Sequence, residues 1–194
     1  EFSFNFWFRR SEESFSWSTQ QMSNVMLSLG NEENSSLQIG TKGNSIEVFL
    51  STDGKTARST LTGDVKDDVW HYLSVSYDAN NQSGEELKVY LDGSLLGSTS
   101  LFAGNLSKGI SEKWRLGIAQ SNSQANGRYI GNLDDLRIFN KPITLSDHQS
   151  AFNGGKGDLN LVVEVGYPSA IHESPILVDL NFTRYGSPCM VDFN

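Results

Sequence analysis

The sequence predicts an all-β protein of antiparallel strands, and three observations carry that prediction. Short runs alternate apolar and polar residues; in Leu87–Leu91, for example, Leu87, Val89 and Leu91 face one way and Lys88 and Tyr90 the other. Asp-Gly pairs at 53–54 and 92–93 supply the positive φ of tight hairpin turns. Segments with helical period are nearly absent, while Ser, Gly and Asn crowd the stretches between apolar runs.

The elements follow in order. Phe2, Phe4, Phe6 and Phe8 alternate with Ser3, Asn5 and Trp7, which makes this a core strand with an aromatic face. Residues 12–21 read as a polar loop and Val25–Leu29 as a strand. Leu37–Ile39 and Ile46–Leu50 are strands split by the turn Thr41-Lys42-Gly43-Asn44. Trp70–Tyr77 carries the strongest strand signal, with His71, Leu73, Val75 and Tyr77 on its core face and Trp70, Tyr72, Ser74 and Ser76 on the other. Leu87–Leu91 and Leu95–Leu101 form a hairpin, and Trp114–Ala119 and Tyr129–Phe139 are the late strands. Pro142 to Asp147 reads as the start of a short helix, with Ser146 as N-cap, ending near Gly154-Gly155. Gly154 to Gly157 reads as a linker, after which Leu159–Val165 and Ile176–Phe182 alternate as strands.

Three of these pieces, in this order, resemble the laminin G-like domain of the concanavalin A-like lectin superfamily. They are the Trp70-His71 strand ending in Tyr77-Asp78, the hairpin Tyr90-Leu91-Asp92-Gly93, and the late strand Gly131-Asn132-Leu133-Asp134-Asp135-Leu136-Arg137-Ile138-Phe139-Asn140. The resemblance runs from about Phe2 to Gly155. It implies a two-sheet antiparallel jelly-roll sandwich over residues 1–155, with a short helix after the last strand and the family's usual first strand missing. Residues 156–194 then hold the linker and the opening strands of a second, incomplete β-domain. Strands need partners for their backbone groups, so Ile176–Phe182 is expected to pair with a sheet edge, in its own chain or in a neighbouring molecule.

Composition narrows the function. A net charge of −8, with its acidic residues dispersed, argues against nucleic acid, which demands clustered Lys and Arg. No apolar run reaches the roughly 18 residues of a membrane span. The single cysteine, Cys189, can form no internal disulfide and has no nucleophile signature around it. Asn-x-Ser/Thr acceptors stand at Asn34, Asn81, Asn105 and Asn181, which leaves a secreted protein open without establishing one.

Candidate sites are few. Trp70, Tyr72 and Tyr90, with Trp7, lie opposite the core-facing residues of their strands and could form an aromatic platform for a saccharide ring. The loop 121–128, with Asn126 and Arg128, offers hydrogen-bonding groups at the sandwich rim. The same residues equally suit packing under loops and a solvated turn. The family resemblance points to Asp134 as a ligand of a structural calcium ion; the other reading has its carboxylate bonded within the protein. His71, His148 and His172 lack metal-ligand spacing.

The β-glucan-cleaving enzymes of the superfamily carry a Glu-x-Asp-x-x-Glu strand that sets two carboxylates on one face, and nothing here matches it. Asp134 and Asp135 are adjacent and point to opposite faces. The sequence therefore predicts no enzyme. It predicts a non-catalytic recognition or adhesion module, extracellular or on the cell surface, that binds glycan or an extracellular protein. The alternative is a structural subunit of an extracellular filament, large adhesin or virion appendage, joined to neighbouring domains or subunits through its C-terminal tail.

Overall fold

The computed structural model describes residues 1–11, 24–30, 35–53, 55–81, 83–102, 104–106, 114–117, 129–154 and 180–182. They form strands β1 (Phe2–Arg10), β2 (Asn24–Gly30), β3 (Ser35–Lys42), β4 (Ser45–Thr52), β5 (Lys55–Thr62), β6 (Trp70–Tyr77), β7 (Leu87–Leu91), β8 (Ser94–Thr99), β9 (Trp114–Leu116) and β10 (Gly131–Phe139), then helix α1 (Leu145–Gly154) and strand β11 (Leu180–Phe182). One sheet has the order β11-β10-β1-β6-β7-β8, the other β5-β4-β3-β2-β9. The chain divides into two compact units. One holds Glu1–Phe8, Trp70–Ser100 and Leu133–Leu180; the other holds Arg9–Val69, Leu101–Asn132 and Asn181–Asn194.

In the first unit the alternation on β1, β6 and β7 holds. Phe2, Phe4, Phe6, Phe8, Leu73, Val75, Tyr77, Leu87, Val89 and Leu91 are all buried. Phe2 packs its ring 5.1 Å from Phe4 and 5.3 Å from Tyr77. Fully burying a side chain of this size is worth roughly 1.5–3 kcal/mol. β6 is buried on both faces from His71 onward, because the face carrying Tyr72, Ser74 and Ser76 is covered by the segment after β10. Ser3 Oγ donates to the Lys141 carbonyl. The Ile143 amide donates to Ser76 Oγ at 3.1 Å.

Helix α1 completes that cover. Its N-cap is Thr144 rather than Ser146. Thr144 Oγ1 accepts from the Asp147 amide at 3.2 Å, and Asp147 Oδ2 accepts from the Thr144 amide at 2.7 Å. This reciprocal pair is a capping box closed by Asp. His148 stacks between Tyr72 (5.3 Å) and Tyr90 (5.4 Å), and Phe152 reaches Trp7 at 5.7 Å. The Asp92-Gly93 turn adopts the expected left-handed backbone, with φ of 48° and 83°, and it fastens the helix. The Gly93 amide donates to His148 Nε2 at 2.9 Å, and Gln149 Nε2 donates to the Gly93 carbonyl at 3.0 Å. Asp92 bonds His71 Nδ1 at 2.7 Å and accepts from the Tyr72 amide at 2.8 Å.

In the second unit Leu27, Leu29, Leu37, Ile39, Ile46, Val48, Leu50 and Leu116 are buried. Cross-strand register sets them on one face of the five-stranded sheet. β5 is a strand that the sequence reading missed, since its apolar face shows only Ala57 and Leu61. In the tail, β11 falls inside the expected strand Ile176–Phe182 and stands next to β10 at the end of its sheet. Leu159–Val165, the 12–21 loop and the linker beyond Gly154 lie outside the described residues.

Two outcomes follow. Leu73 is fully buried, so Leu73→Ala should lower unfolding free energy by about 2–5 kcal/mol in denaturant titration, through the cavity it leaves. The second concerns acid. His148 Nε2 accepts the Gly93 amide, so Nδ1 carries the proton that goes to Ser74 Oγ at 2.7 Å. Burial pushes the ring down to about 4, against a smaller opposing pull from Asp92. The unfolded chain takes up its proton near pH 6.5, before the native state does. Stability from neutral His148 is therefore complete above pH 6.5 and declines as pH falls toward 4, by about 3 kcal/mol at most. Melting of wild type and His148→Gln across pH 4–7 checks this, and the variant should lose that part of the slope.

Candidate functional site

The second face of the five-stranded sheet has a different composition. Pairing in register aligns Arg115 on β9, Ser28 on β2, Gln38 on β3, Phe49 on β4 and Arg58 on β5. Residues directly opposite each other in antiparallel strands share a face, so these five form a row across the sheet. The neighbouring row carries Val25, Gly40, Glu47 and Thr60. Toward β2 and β9 the face is covered, with Ser28 and Arg115 buried; toward β4 and β5 it opens, with Phe49 and Arg58 half-buried and Thr60 exposed.

Glu47 is the anchor. It is 2% exposed, and both its oxygens are engaged: Oε2 accepts from Arg58 Nη1 and Oε1 from Thr60 Oγ1, each at 3.0 Å. A buried carboxylate is tolerated only when paired and hydrogen-bonded, and both partners come from β5. The Arg58 guanidinium lies 5.8 Å from the centroid of the Phe49 ring, within cation–π range. Phe49 also packs against Val25 on β2. Gly40 on β3 stands opposite Val25 and Glu47 in the register. A Cβ at Gly40 would sit 2.2 Å from the Asn24 carbonyl oxygen, so only glycine fits this close approach of β2 and β3. The face thus offers a flat ring beside a fixed guanidinium, with Gln38 and Thr60 adding hydrogen-bonding groups.

The residues singled out from sequence are placed differently. Tyr72 and Tyr90, 1% and 4% exposed, are buried under α1. Burial, the leading cause, pushes both hydroxyls upward, so they stay protonated. The platform expected of Trp70, Tyr72 and Tyr90 therefore does not form, because α1 covers the two tyrosines. Trp70 is 41% exposed at the start of β6. Asn126 and Arg128 lie outside the described residues. Asp134 is exposed, while Asp135, at φ 52°, turns its carboxylate into the fork of buried Arg137, with bonds of 2.8 and 2.6 Å. Among the described residues no three His, Cys, Asp or Glu side chains stand together to hold a metal. Side-chain donors for calcium therefore do not converge on Asp134 there.

The two antiparallel sheets are those of a jelly-roll sandwich. Residues 1–147 match the laminin G model described as the concanavalin A-like lectin/glucanases superfamily, and the chain belongs to that superfamily. A search of curated proteins returned no match. Among solved structures, the CBM40 of Ruminococcus gnavus IT-sialidase bound to α2,3-sialyllactose is similar, with TM-score 0.61 and 12% identity over 78% of this chain and 81% of that one. A heptameric SAP-like pentraxin from Limulus polyphemus matches with TM-score 0.57 and 13% identity over 94% of this chain and 83% of that one. Domain 4 of an extracellular arabinanase from Geobacillus stearothermophilus, in complex with arabinotriose, matches with TM-score 0.52 and 17% identity over 77% of this chain and 65% of that one. The fold class is the one expected from the sequence. No helix among the described residues is long and apolar enough to cross a membrane.

The Glu47–Arg58 pair makes an asymmetric prediction. Arg58→Ala leaves a carboxylate buried without its cation, whereas Glu47→Ala leaves a guanidinium that water can reach. Arg58→Ala should be the more destabilising, by about 1–3 kcal/mol, and adding Glu47→Ala should recover part of that loss. A double-mutant cycle in denaturant measures it.

Proposed function

We propose that the chain is a non-catalytic glycan-recognition module that works outside the cell and binds saccharide on the second face of its five-stranded sheet. The observation that carries this reading is the cross-strand row that ends in Phe49 and Arg58, with Glu47 fixing the guanidinium. Half-buried Phe49, with Arg58 over its ring, gives sugar C–H groups an apolar surface, and Gln38, Arg58 and Thr60 supply hydrogen bonds that orient the hydroxyls. Two similar folds are described with saccharides bound, sialyllactose in one and arabinotriose in the other. The carboxylates nearest to a catalytic role are occupied: Glu47 is held by Arg58 and Thr60, and Asp135 by Arg137. A general acid or base needs a carboxyl within reach of substrate, and these two are committed inside the protein.

A glycan array on the 194-residue chain, followed by calorimetry on the hits, tests the reading. Phe49→Ala should weaken binding by about tenfold or more, equivalent to roughly 1.4 kcal/mol, and the hits should show no release of reducing ends. Loss of binding in Trp70→Ala with Phe49→Ala intact would move the site to β6, and turnover of a bound glycan would make the protein an enzyme.

A further inference from the structure

Arg58 and Glu47 form an ion pair on the second face of the five-stranded sheet, and the two partners are unequally exposed. We propose that this face selects anionic saccharides and that Arg58 is the group that reads their charge. The inference rests on the glycan-binding reading above and adds the ligand class.

Three features support it. First, the carboxylate of Glu47 is spent within the sheet: the residue is 2% exposed and both oxygens accept bonds from β5. Second, the side chain of Arg58 is 29% exposed where that of Glu47 is 3%. A ligand approaching the pair therefore meets the cation before the anion. A guanidinium has five N–H donors in a planar fork, and Nη1 is the group bonded to Glu47. That fork matches the paired oxygens of a carboxylate or a sulfate better than it matches isolated hydroxyls. Third, Arg58 stands directly opposite Phe49 in the register, one strand spacing away, or about 4.8 Å. A saccharide packed against Phe49 is thus within reach of the guanidinium, which lies over the same ring. Glu47 acts as the positioning residue, holding the fork while lying too deep to repel the ligand itself.

Matched saccharide sets provide the test. Each set holds a uronate-containing oligosaccharide, the same oligosaccharide with its carboxyls reduced to alcohols, and a sulfated one of equal length. Binding is measured by calorimetry at low and high salt. The expected result is that one anionic member binds at least tenfold tighter than its neutral partner, with the difference shrinking at high salt. Whether the carboxylated or the sulfated member leads identifies the anion. Arg58→Gln, which keeps a polar side chain next to Glu47, should erase the preference while leaving weak binding of the neutral member and an unchanged fold by circular dichroism. Arg58→Lys should keep a salt-dependent preference of smaller size. Equal binding of charged and neutral members, or a preference that survives Arg58→Gln, overturns the charge-reading role and leaves glycan binding standing. No binding by any member of the sets or the array overturns both.

Discussion

Polar groups that enter a protein interior must find partners there, and the Asp92-Gly93 turn is where the first unit meets that demand. Asp92 ties two residues of β6 with one carboxylate, through the His71 ring and the Tyr72 amide. Gly93 uses its amide on His148 and its carbonyl on Gln149. A hairpin turn that would ordinarily face water is thereby the mount for a helix. Once α1 is mounted, Trp7, Tyr72, Tyr90 and Phe152 have a place to pack, and the sheet has no open aromatic face there. The glycine is required twice over: its φ of +83° suits no other residue well, and a Cβ would press on the Phe152 ring at 3.0 Å.

The two sheets meet the problem of their second faces in opposite ways. The six-stranded sheet covers the middle of its second face with its own helix. The five-stranded sheet leaves its second face open toward β4 and β5 and populates it with charge, amide, hydroxyl and a single ring. Arg58 serves this arrangement twice. It neutralises a buried carboxylate, and with Lys55 it places positive charge on β5, the outer strand of its sheet. Charged side chains on an edge discourage unwanted strand pairing. A binding group on that edge is therefore also a guard against aggregation.

Much of the fold was readable because burial imposes a period of two. β1, β6 and β7 each bury one complete alternating face, and the Asp-Gly turn between β7 and β8 has a backbone requirement that few residues meet. β5 escaped notice because an edge strand buries little, and Lys55, Thr56, Arg58, Ser59 and Thr60 carry no apolar alternation. The candidate site went with it, since half of its groups stand on β5. The signal that could have found it lies in Ile46–Leu50, where the buried alternate positions leave Glu47 and Phe49 together on the other face. The aromatic platform on β6 and β7 failed for a different reason. Alternation reports which residues share a face but not what covers that face, and a short helix far along the chain from β1 settles the matter for Trp7 and Tyr72. At Asp134 and Asp135 the positive φ of Asp135 breaks the strand's regular twist, so strict alternation could not say which carboxylate turns inward.

Gly40 has a consequence for how such a surface could change over generations. The space above it is held by the absence of a side chain, and the Asn24 carbonyl behind it is backbone that cannot step aside. Position 40 is therefore closed to every one-step substitution, and the close approach of β2 and β3 is inherited with it. Glu47 is nearly as constrained, since it answers to two partners at once. Gln38 and Thr62 face the same side from half-buried and exposed positions next to them. A lineage that retunes its ligand would thus vary these rim positions around a fixed carboxylate and a fixed glycine, keeping the geometry of contact while altering its chemistry.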